Sequence, residues 1–182
     1  MLTNHTVPCA TVIDMHVTAC SELFEAYGLT QHLHREEADD RDPARVAYAS
    51  VLGATGRGIR LSSTLSLDRE VLVRTHPSGS NVAERDVQDW CRELNNQLVG
   101  RLKNKLLRVG CDVATGLPVL IKGTDMVAVG ASDQDFRQYF FSSKYGCLAL
   151  TLAMLLAPDL SLDGRQADDA ERVELEGAMS LF

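Results

Sequence analysis

Residues 82–110, VAERDVQDWCRELNNQLVGRLKNKLLRVG, contain the longest helical pattern of the chain. Apolar side chains recur there at intervals of three and four residues, which places them on one stripe of an α-helix: Val87, Cys91, Leu94, Leu98, Leu102 and Leu106. Trp90 and Val109 lie beside the stripe, and Gly110 suits the position that ends a helix. The pattern therefore predicts a helix from about residue 82 to residue 109 with one buried face.

The flanking sequence predicts a second helix and a set of strands. Residues 11–29 have helical spacing, and residues 45–67 contain two β-like runs joined by glycines, which is typical of a hairpin. The polar stretch 31–43 is expected to be an exposed connection, and residues 68–76 fit a helix or a strand equally well. Four further runs have strand composition: 117–121, 126–129, 137–141 and 148–156. The expected fold is α/β of the α+β type, a mostly antiparallel sheet with an N-terminal helix and the long helix packed on it.

Length and composition limit the possible classes of protein. The 182 residues are 45% hydrophobic, which suits one compact domain, with a core at about 11–156 and an acidic tail at 157–182. The net charge of −7 argues against nucleic acid as a partner. Five cysteines without a CxxC pair suit a reducing, cytoplasmic location. The longest apolar run, 147–157, is about half of the roughly 20 residues that a transmembrane helix needs.

Polar side chains on the opposite face of the long helix form the candidate site. With about 100° of rotation per residue, Glu93 lies about 100° and Asn96 about 160° from Leu94, the centre of the apolar stripe. Both are expected to face solvent, and Asp89 and Gly100 fall on the same surface. Asparagine is a weak helix former, and glycine costs about 1 kcal/mol relative to alanine inside a helix. A surface selected only for helicity would contain neither, so Glu93, Asn96 and Gly100, here called the Glu–Asn ridge, are predicted to be functional.

The segment 93–100, ELNNQLVG, resembles the ExxN(x)₃G signature of the CheC, CheX and FliY chemotaxis phosphatases. Pro118 and Gly123 are similar to the P-x-x-x-x-G strand entry of this family, and the resemblance covers roughly residues 11–156. One departure is Gln97, where the family often has Met. CheC-like members carry two motif helices, whereas the predicted first helix here contains no ExxN pattern. A single site per chain favours the CheX type.

This resemblance implies an activity and a role for each site residue. The expected reaction is hydrolysis of the phosphoaspartate of a CheY-like response regulator, with the regulator supplying Mg²⁺ and the chain needing no metal or other cofactor of its own. Asn96 would position the attacking water, and Glu93 would pair with a lysine of the regulator. Asp89, Gln97 and Gly100 are expected to contact this partner. The alternative is a non-catalytic CheX-like adaptor that binds a signalling partner through the same helix.

The resemblance also implies a homodimer that joins through its sheets. The apolar run 148–156, beside the run 137–141, is expected to provide an uncovered edge for this pairing.

Two other candidate sites are less favoured. Gly53, Gly56 and Gly58 suggest a phosphate loop, but such a loop leads into a helix, whereas a strand pattern follows here. His32 and His34, which lie among acidic residues, suggest a metal site, but the charged stretch has no paired cysteines at zinc spacing. No metal site is therefore predicted.

Overall fold

The structure is a computed structural model that describes residues 6–29, 36–37, 47–123, 126 and 134–162. Three helices and seven strands lie within these residues. In chain order they are α1 (Thr6–Ala26), β1 (Glu36–Glu37), β2 (Tyr48–Gly56), β3 (Ile59–Leu67), α2 (Arg69–Thr75), α3 (Glu84–Leu107), β4 (Val113–Thr115), β5 (Val119–Lys122), β6 (Asp135–Ser143) and β7 (Gly146–Leu156).

The seven strands form one antiparallel sheet. Its order is β1-β6-β7-β3-β2-β4, and β5 also pairs with β2. The predicted hairpin is confirmed, since β2 and β3 pair from Tyr48 opposite Leu67 to Gly56 opposite Ile59. Gly56 lies within β2, where an added Cβ would approach the carbonyl oxygen of Asp112 to 2.2 Å. Close approach of two backbones explains this glycine, and the hairpin gives it no helix N-terminus that would bind phosphate.

The helices pack on one face of this sheet. All six residues of the apolar stripe on α3 are at most 1% exposed, as the spacing predicted. They pack against the inward side chains of the central strands, which include Leu52, Leu65 and Leu150. α1 lies beside α3, and the Lys105 ammonium contacts the Glu22 carboxylate between the two helices at 2.7 Å. The α+β architecture with the long helix on the sheet is therefore as expected.

Several boundaries differ from the sequence-based expectations. Residues 69–75 form α2 because Val71, Leu72 and Thr75 bury one side of a helical turn. The short strand β4 was not predicted, and Glu36 and Glu37 of the expected connection pair with β6. Of the run 126–129, only residue 126 is described, and it is not in a strand. The other residues of that run, and residues 163–182 of the expected tail, lie outside the described residues.

The position of β7 corrects the expected sheet edge. β7 pairs along its length with β3 on one side and β6 on the other, so it is an interior strand. β6 pairs on its other side with β1, opposite Phe140 and Tyr139 only. The apolar composition of β7 follows from its interior position, because interior strands bury more side-chain surface. Within the described part of the chain, β6 is therefore uncovered on its side away from β7 except opposite β1, and β4 and β5 form the opposite edge of the sheet.

No helix among the described residues is long and apolar enough to cross a membrane. All five cysteines are free, and Cys147 alone among them is exposed. Burial raises the pKa of the Cys20 and Cys91 thiols to about 12, which keeps both protonated at neutral pH. These thiols act as small apolar core groups.

Candidate functional site

The Glu–Asn ridge lies on the exposed side of α3. Glu93 and Asn96 are both exposed, one helical turn apart, on the side opposite the apolar stripe. The Asn96 side chain makes no hydrogen bond to any described residue. A Cβ added at Gly100 would meet nothing within 4 Å, so the helix surface beyond Asn96 is open. The ridge thus offers a carboxylate, a carboxamide and bare backbone to an approaching protein.

Glu93 is linked to α1 through Gln97. The Gln97 Nε2 donates a hydrogen bond to Glu93 Oε1 at 2.9 Å, and the Tyr27 hydroxyl donates to Gln97 Oε1, also at 2.9 Å. The Tyr27 ring packs edge-on against Trp90 with a centroid distance of 5.5 Å. Gln97 is half-buried, unlike its two exposed neighbours on the ridge. The sequence placed Gln97 at the surface but contained no signal for its contact with Tyr27.

Asp89 lies one turn before Glu93 and is exposed, as predicted. Its carboxylate accepts a hydrogen bond from Arg92, and the Arg85 guanidinium is 3.9 Å away. Both arginines are on the same helix, so this pairing follows from i, i+3 and i, i+4 spacing. Asp89 therefore presents a partly compensated charge beside the ridge.

The N-terminal end of α3 is tied to the sheet by Glu84. Its carboxylate accepts hydrogen bonds from Lys122 of β5 and from the Tyr48 hydroxyl of β2, and the Arg69 guanidinium is 3.7 Å away. The bond from Lys122, followed by that from Tyr48, lowers the pKa of Glu84 to about 2. Glu84 therefore stays ionised at the positive end of the helix dipole. These contacts hold the N-terminal end of α3, the helix that carries the ridge, against the sheet.

Asn95, the residue before the ridge asparagine, faces the opposite way and is fully buried. Its Nδ2 donates to the Ser50 carbonyl oxygen at 2.7 Å and to the Ser63 carbonyl oxygen at 3.3 Å. The Ser63 hydroxyl donates to Asn95 Oδ1 at 3.3 Å and lies 2.8 Å from His16 Nε2. With its own proton given to Asn95, the Ser63 hydroxyl accepts one from Nε2, so the neutral imidazole carries its proton on Nε2. This buried network joins α1, α3 and the central strands beneath the ridge.

His16 makes stability sensitive to acid. Burial lowers its pKa from 6.5 to about 3, and its Nδ1 has no hydrogen-bond partner among the described residues. The unfolded chain therefore binds this proton more tightly than the folded chain does. The contribution of His16 to the free energy of unfolding is fully present above about pH 6.5 and falls as the pH drops towards 3. At about 1.4 kcal/mol per pH unit, roughly 2 kcal/mol is lost by pH 5. Urea unfolding of the parent protein at pH 7 and pH 5 measures this loss of free energy. His16→Gln should remove it. An equal loss in the parent and in the variant would contradict the assignment of this acid sensitivity to His16.

Among the described residues, no group of three or more His, Cys, Asp or Glu side chains could hold a metal ion. The histidines of the charged stretch, His32 and His34, lie outside the described residues.

Solved structures of chemotaxis proteins share this arrangement of helices and sheet. A CheC-like superfamily protein from Shewanella sp. PV-4 is 18% identical, with a TM-score of 0.64 over 79% of this chain and 96% of that chain. CheX from Vibrio vulnificus is 17% identical, with a TM-score of 0.65 over 79% and 95%. A CheX–CheY–BeF₃–Mg²⁺ complex from Borrelia burgdorferi contains a chain that is 14% identical, with a TM-score of 0.62 over 79% and 97%. The fold is that of the CheC and CheX proteins.

The family follows from the sequence comparison. The model of the family described as chemotaxis phosphatase CheX matches residues 48–141, which are 94 of the 182 residues. The chain therefore belongs to the CheX family. A comparison with curated protein sequences finds no match.

Proposed function

We propose that this protein, as a single CheX-like domain, hydrolyses the phosphoaspartate of a CheY-like response regulator. The observation that carries the proposal is the ridge itself, because Glu93 and Asn96 are exposed together on the outer side of a helix whose position is fixed by buried contacts. Membership of a family of chemotaxis phosphatases supports the activity. The complex of a CheX with CheY, BeF₃ and Mg²⁺ supports the class of partner.

Asn96 would act on the water that attacks phosphorus. Phosphoryl transfer passes through a loose, in-line transition state, so a catalyst gains most by positioning the nucleophile. A carboxamide oxygen can accept a hydrogen bond from this water while the amide group donates to a phosphoryl oxygen or to the regulator. Asn96 would orient the water without removing its proton.

Glu93 would bind the regulator beside the reacting group. By resemblance to the family, its carboxylate pairs with a lysine of the regulator and so fixes the direction from which Asn96 enters the site. The Mg²⁺ would arrive with the regulator, as the presence of the ion in the Borrelia complex suggests. Gly100 would allow the partner's backbone to approach α3, and Asp89 would border the contact.

The test is phosphate release from a panel of the source organism's CheY-like receiver domains, each phosphorylated with acetyl phosphate. For at least one receiver, we expect the protein to accelerate release a hundredfold to a thousandfold, which requires about 3 to 4 kcal/mol of transition-state stabilisation. Binding of a phosphorylated receiver without acceleration would instead identify an adaptor. No binding and no acceleration with any receiver would refute the proposal.

Glu93→Lys should reduce both binding and turnover, because it replaces an attraction to the regulator's lysine by repulsion. For the receiver whose phosphate release the protein accelerates, we expect the dissociation constant to rise at least tenfold. We also expect a lower turnover rate at saturating phosphorylated receiver. Titration with the receiver in its BeF₃⁻·Mg²⁺ form, in which BeF₃⁻ stands in for the phosphoryl group, measures the first effect. An affinity equal to that of the parent protein would remove Glu93 from the interface.

We further propose a homodimer that forms through β6. On the side away from β7, the described residues pair with β6 only at Phe140 and Tyr139, so no described strand covers the rest of that edge, and such an edge can pair with a second copy. Pairing two such edges about a two-fold axis would leave both α3 ridges accessible. Light scattering should give twice the chain mass of 19.9 kDa, and titration should give two regulators per dimer. A mass near 20 kDa at micromolar concentration would refute the dimer.

A further inference from the structure

We propose that Gln97 and Tyr27 are positioning residues that hold the Glu93 carboxylate in its partner-binding orientation. This inference rests on the proposed function, because it assigns the half-buried Gln97 to Glu93 and not to direct contact with the regulator. The geometry that carries it is the pair of 2.9 Å hydrogen bonds that connect the Tyr27 hydroxyl, the Gln97 amide and Glu93 Oε1.

The direction of each hydrogen bond is fixed by its partners. A carboxylate can only accept, so Gln97 presents its NH₂ group to Glu93 and its carbonyl oxygen to Tyr27. The Tyr27 hydroxyl then donates to that oxygen. The amide is therefore held in one orientation by a donor on one side and an acceptor on the other.

The far end of this chain of contacts is anchored in the core. Tyr27 packs edge-on against Trp90, which is only 9% exposed. The indole Nε1 of Trp90 donates to Thr75 Oγ1 at 3.0 Å, and Thr75 is itself buried at the end of α2. Tyr27 follows the last residue of α1, so three helices contribute to the position of one exposed carboxylate. A hydrogen bond on an open helix surface would have no such support.

The arrangement leaves half of the carboxylate available. Glu93 Oε1 is engaged by Gln97, while Oε2 accepts no hydrogen bond from any described residue. A lysine ammonium of the partner can therefore bind Oε2 without displacing an internal bond. Because Glu93 is already ordered, binding loses less side-chain entropy than it would with a free glutamate.

The same helix contains a matched control pair. Gln88 Nε2 donates to Glu84 Oε1 at 3.5 Å, which is the same i, i−4 relation as that of Gln97 to Glu93. Gln88 is also half-buried, but its glutamate is bound to the sheet and lies outside the ridge. Gln88→Met removes a longer hydrogen bond of the same helical spacing without touching Glu93.

The experiment compares Gln97→Met, Tyr27→Phe and Gln88→Met with the parent protein. The probe is the receiver domain that responds in the phosphate-release assay, in its BeF₃⁻·Mg²⁺ form for affinity and its phosphorylated form for turnover. Immobilising one flexible side chain contributes a factor of about three to ten to affinity. We therefore expect Gln97→Met to raise the dissociation constant about threefold to tenfold, with kcat within twofold of the parent value. Tyr27→Phe, which keeps the ring against Trp90, should raise the dissociation constant about twofold to threefold. Gln88→Met should change neither the dissociation constant nor kcat by more than twofold.

A double-mutant cycle separates positioning from direct contact or general damage. In a Glu93→Ala background, Gln97→Met should no longer change the dissociation constant. An undiminished effect in that background, or no effect of Gln97→Met in the parent, would overturn the inference while leaving the proposed function intact. If Glu93→Ala itself leaves affinity and turnover unchanged, the proposed role of Glu93 fails, and the inference fails with it.

Discussion

Asn96→Ala is expected to remove most of the phosphatase activity while it leaves the affinity for the regulator within about twofold of the parent value. The carboxamide would act on the attacking water in the transition state, whereas the ground-state contact depends mainly on Glu93 and the surrounding helix surface. A group that acts only in the transition state lowers kcat and kcat/KM together when it is removed. We expect a fall of about a hundredfold in phosphate release at saturating phosphorylated receiver.

Asn104→Ala is the matched control for this measurement. Asn104 is also an exposed asparagine on α3, two turns beyond Asn96 and one turn beyond Gly100. The two substitutions have the same effect on helix propensity, so any difference in turnover comes from position. If Asn96→Ala releases phosphate as fast as the parent and the Asn104 variant, Asn96 does not position the water.

Asn95→Ala is expected to have the opposite phenotype, with a large loss of stability. The substitution would remove two donated hydrogen bonds to the Ser50 and Ser63 carbonyl oxygens and one accepted from the Ser63 hydroxyl. It would also leave a small cavity between α3 and the sheet. Unsatisfied buried polar groups cost about 1–3 kcal/mol each when no other partner is available, so we expect a total loss of about 2–4 kcal/mol.

Thermal unfolding of Asn95→Ala and Asn96→Ala at pH 7.5 measures this contrast. For a chain of this size, 1 kcal/mol corresponds to about 2–4 °C in the unfolding midpoint, so Asn95→Ala should unfold roughly 5–15 °C below the parent. Asn96→Ala should remain within about 2 °C, because it replaces an exposed side chain by a better helix former. If Asn95→Ala unfolds at the same temperature as the parent, the buried hydrogen-bond network around Asn95 contributes little to stability.

Local patterns in the sequence determined the main elements of this fold. The 3- and 4-residue spacing on α3 identified six of its nine buried side chains, and strand alternation identified the β2–β3 hairpin. The same helical phase placed Asn96, at about 160° from Leu94, on the exposed side. These features follow from backbone geometry alone, because 3.6 residues per turn and the two-residue strand repeat hold in any protein.

The less regular features depended on contacts between distant residues. β7 is mostly apolar and β6 mixes aromatic with polar residues, but only the strand order places β7 between β3 and β6 and leaves β6 with the two-residue β1 as its outer neighbour. The 68–76 stretch forms a helix because one side of it packs on α3 and β7. Tyr27 and Gln97 are 70 residues apart, so no local pattern connects them.

Asn95 and Glu93 show most clearly what tertiary structure decided. Each lies about 100° from Leu94 on the helical wheel, on opposite sides, so periodicity alone assigns them the same environment. In the structure Glu93 is exposed, whereas Asn95 is 0% exposed and bound to two strands. The helix repeat determined where each side chain points relative to Leu94. Only the packing of β2, β3 and α1 against one flank of α3 decided which of the two would be buried, because burial depends on the neighbouring elements and not on the helix itself.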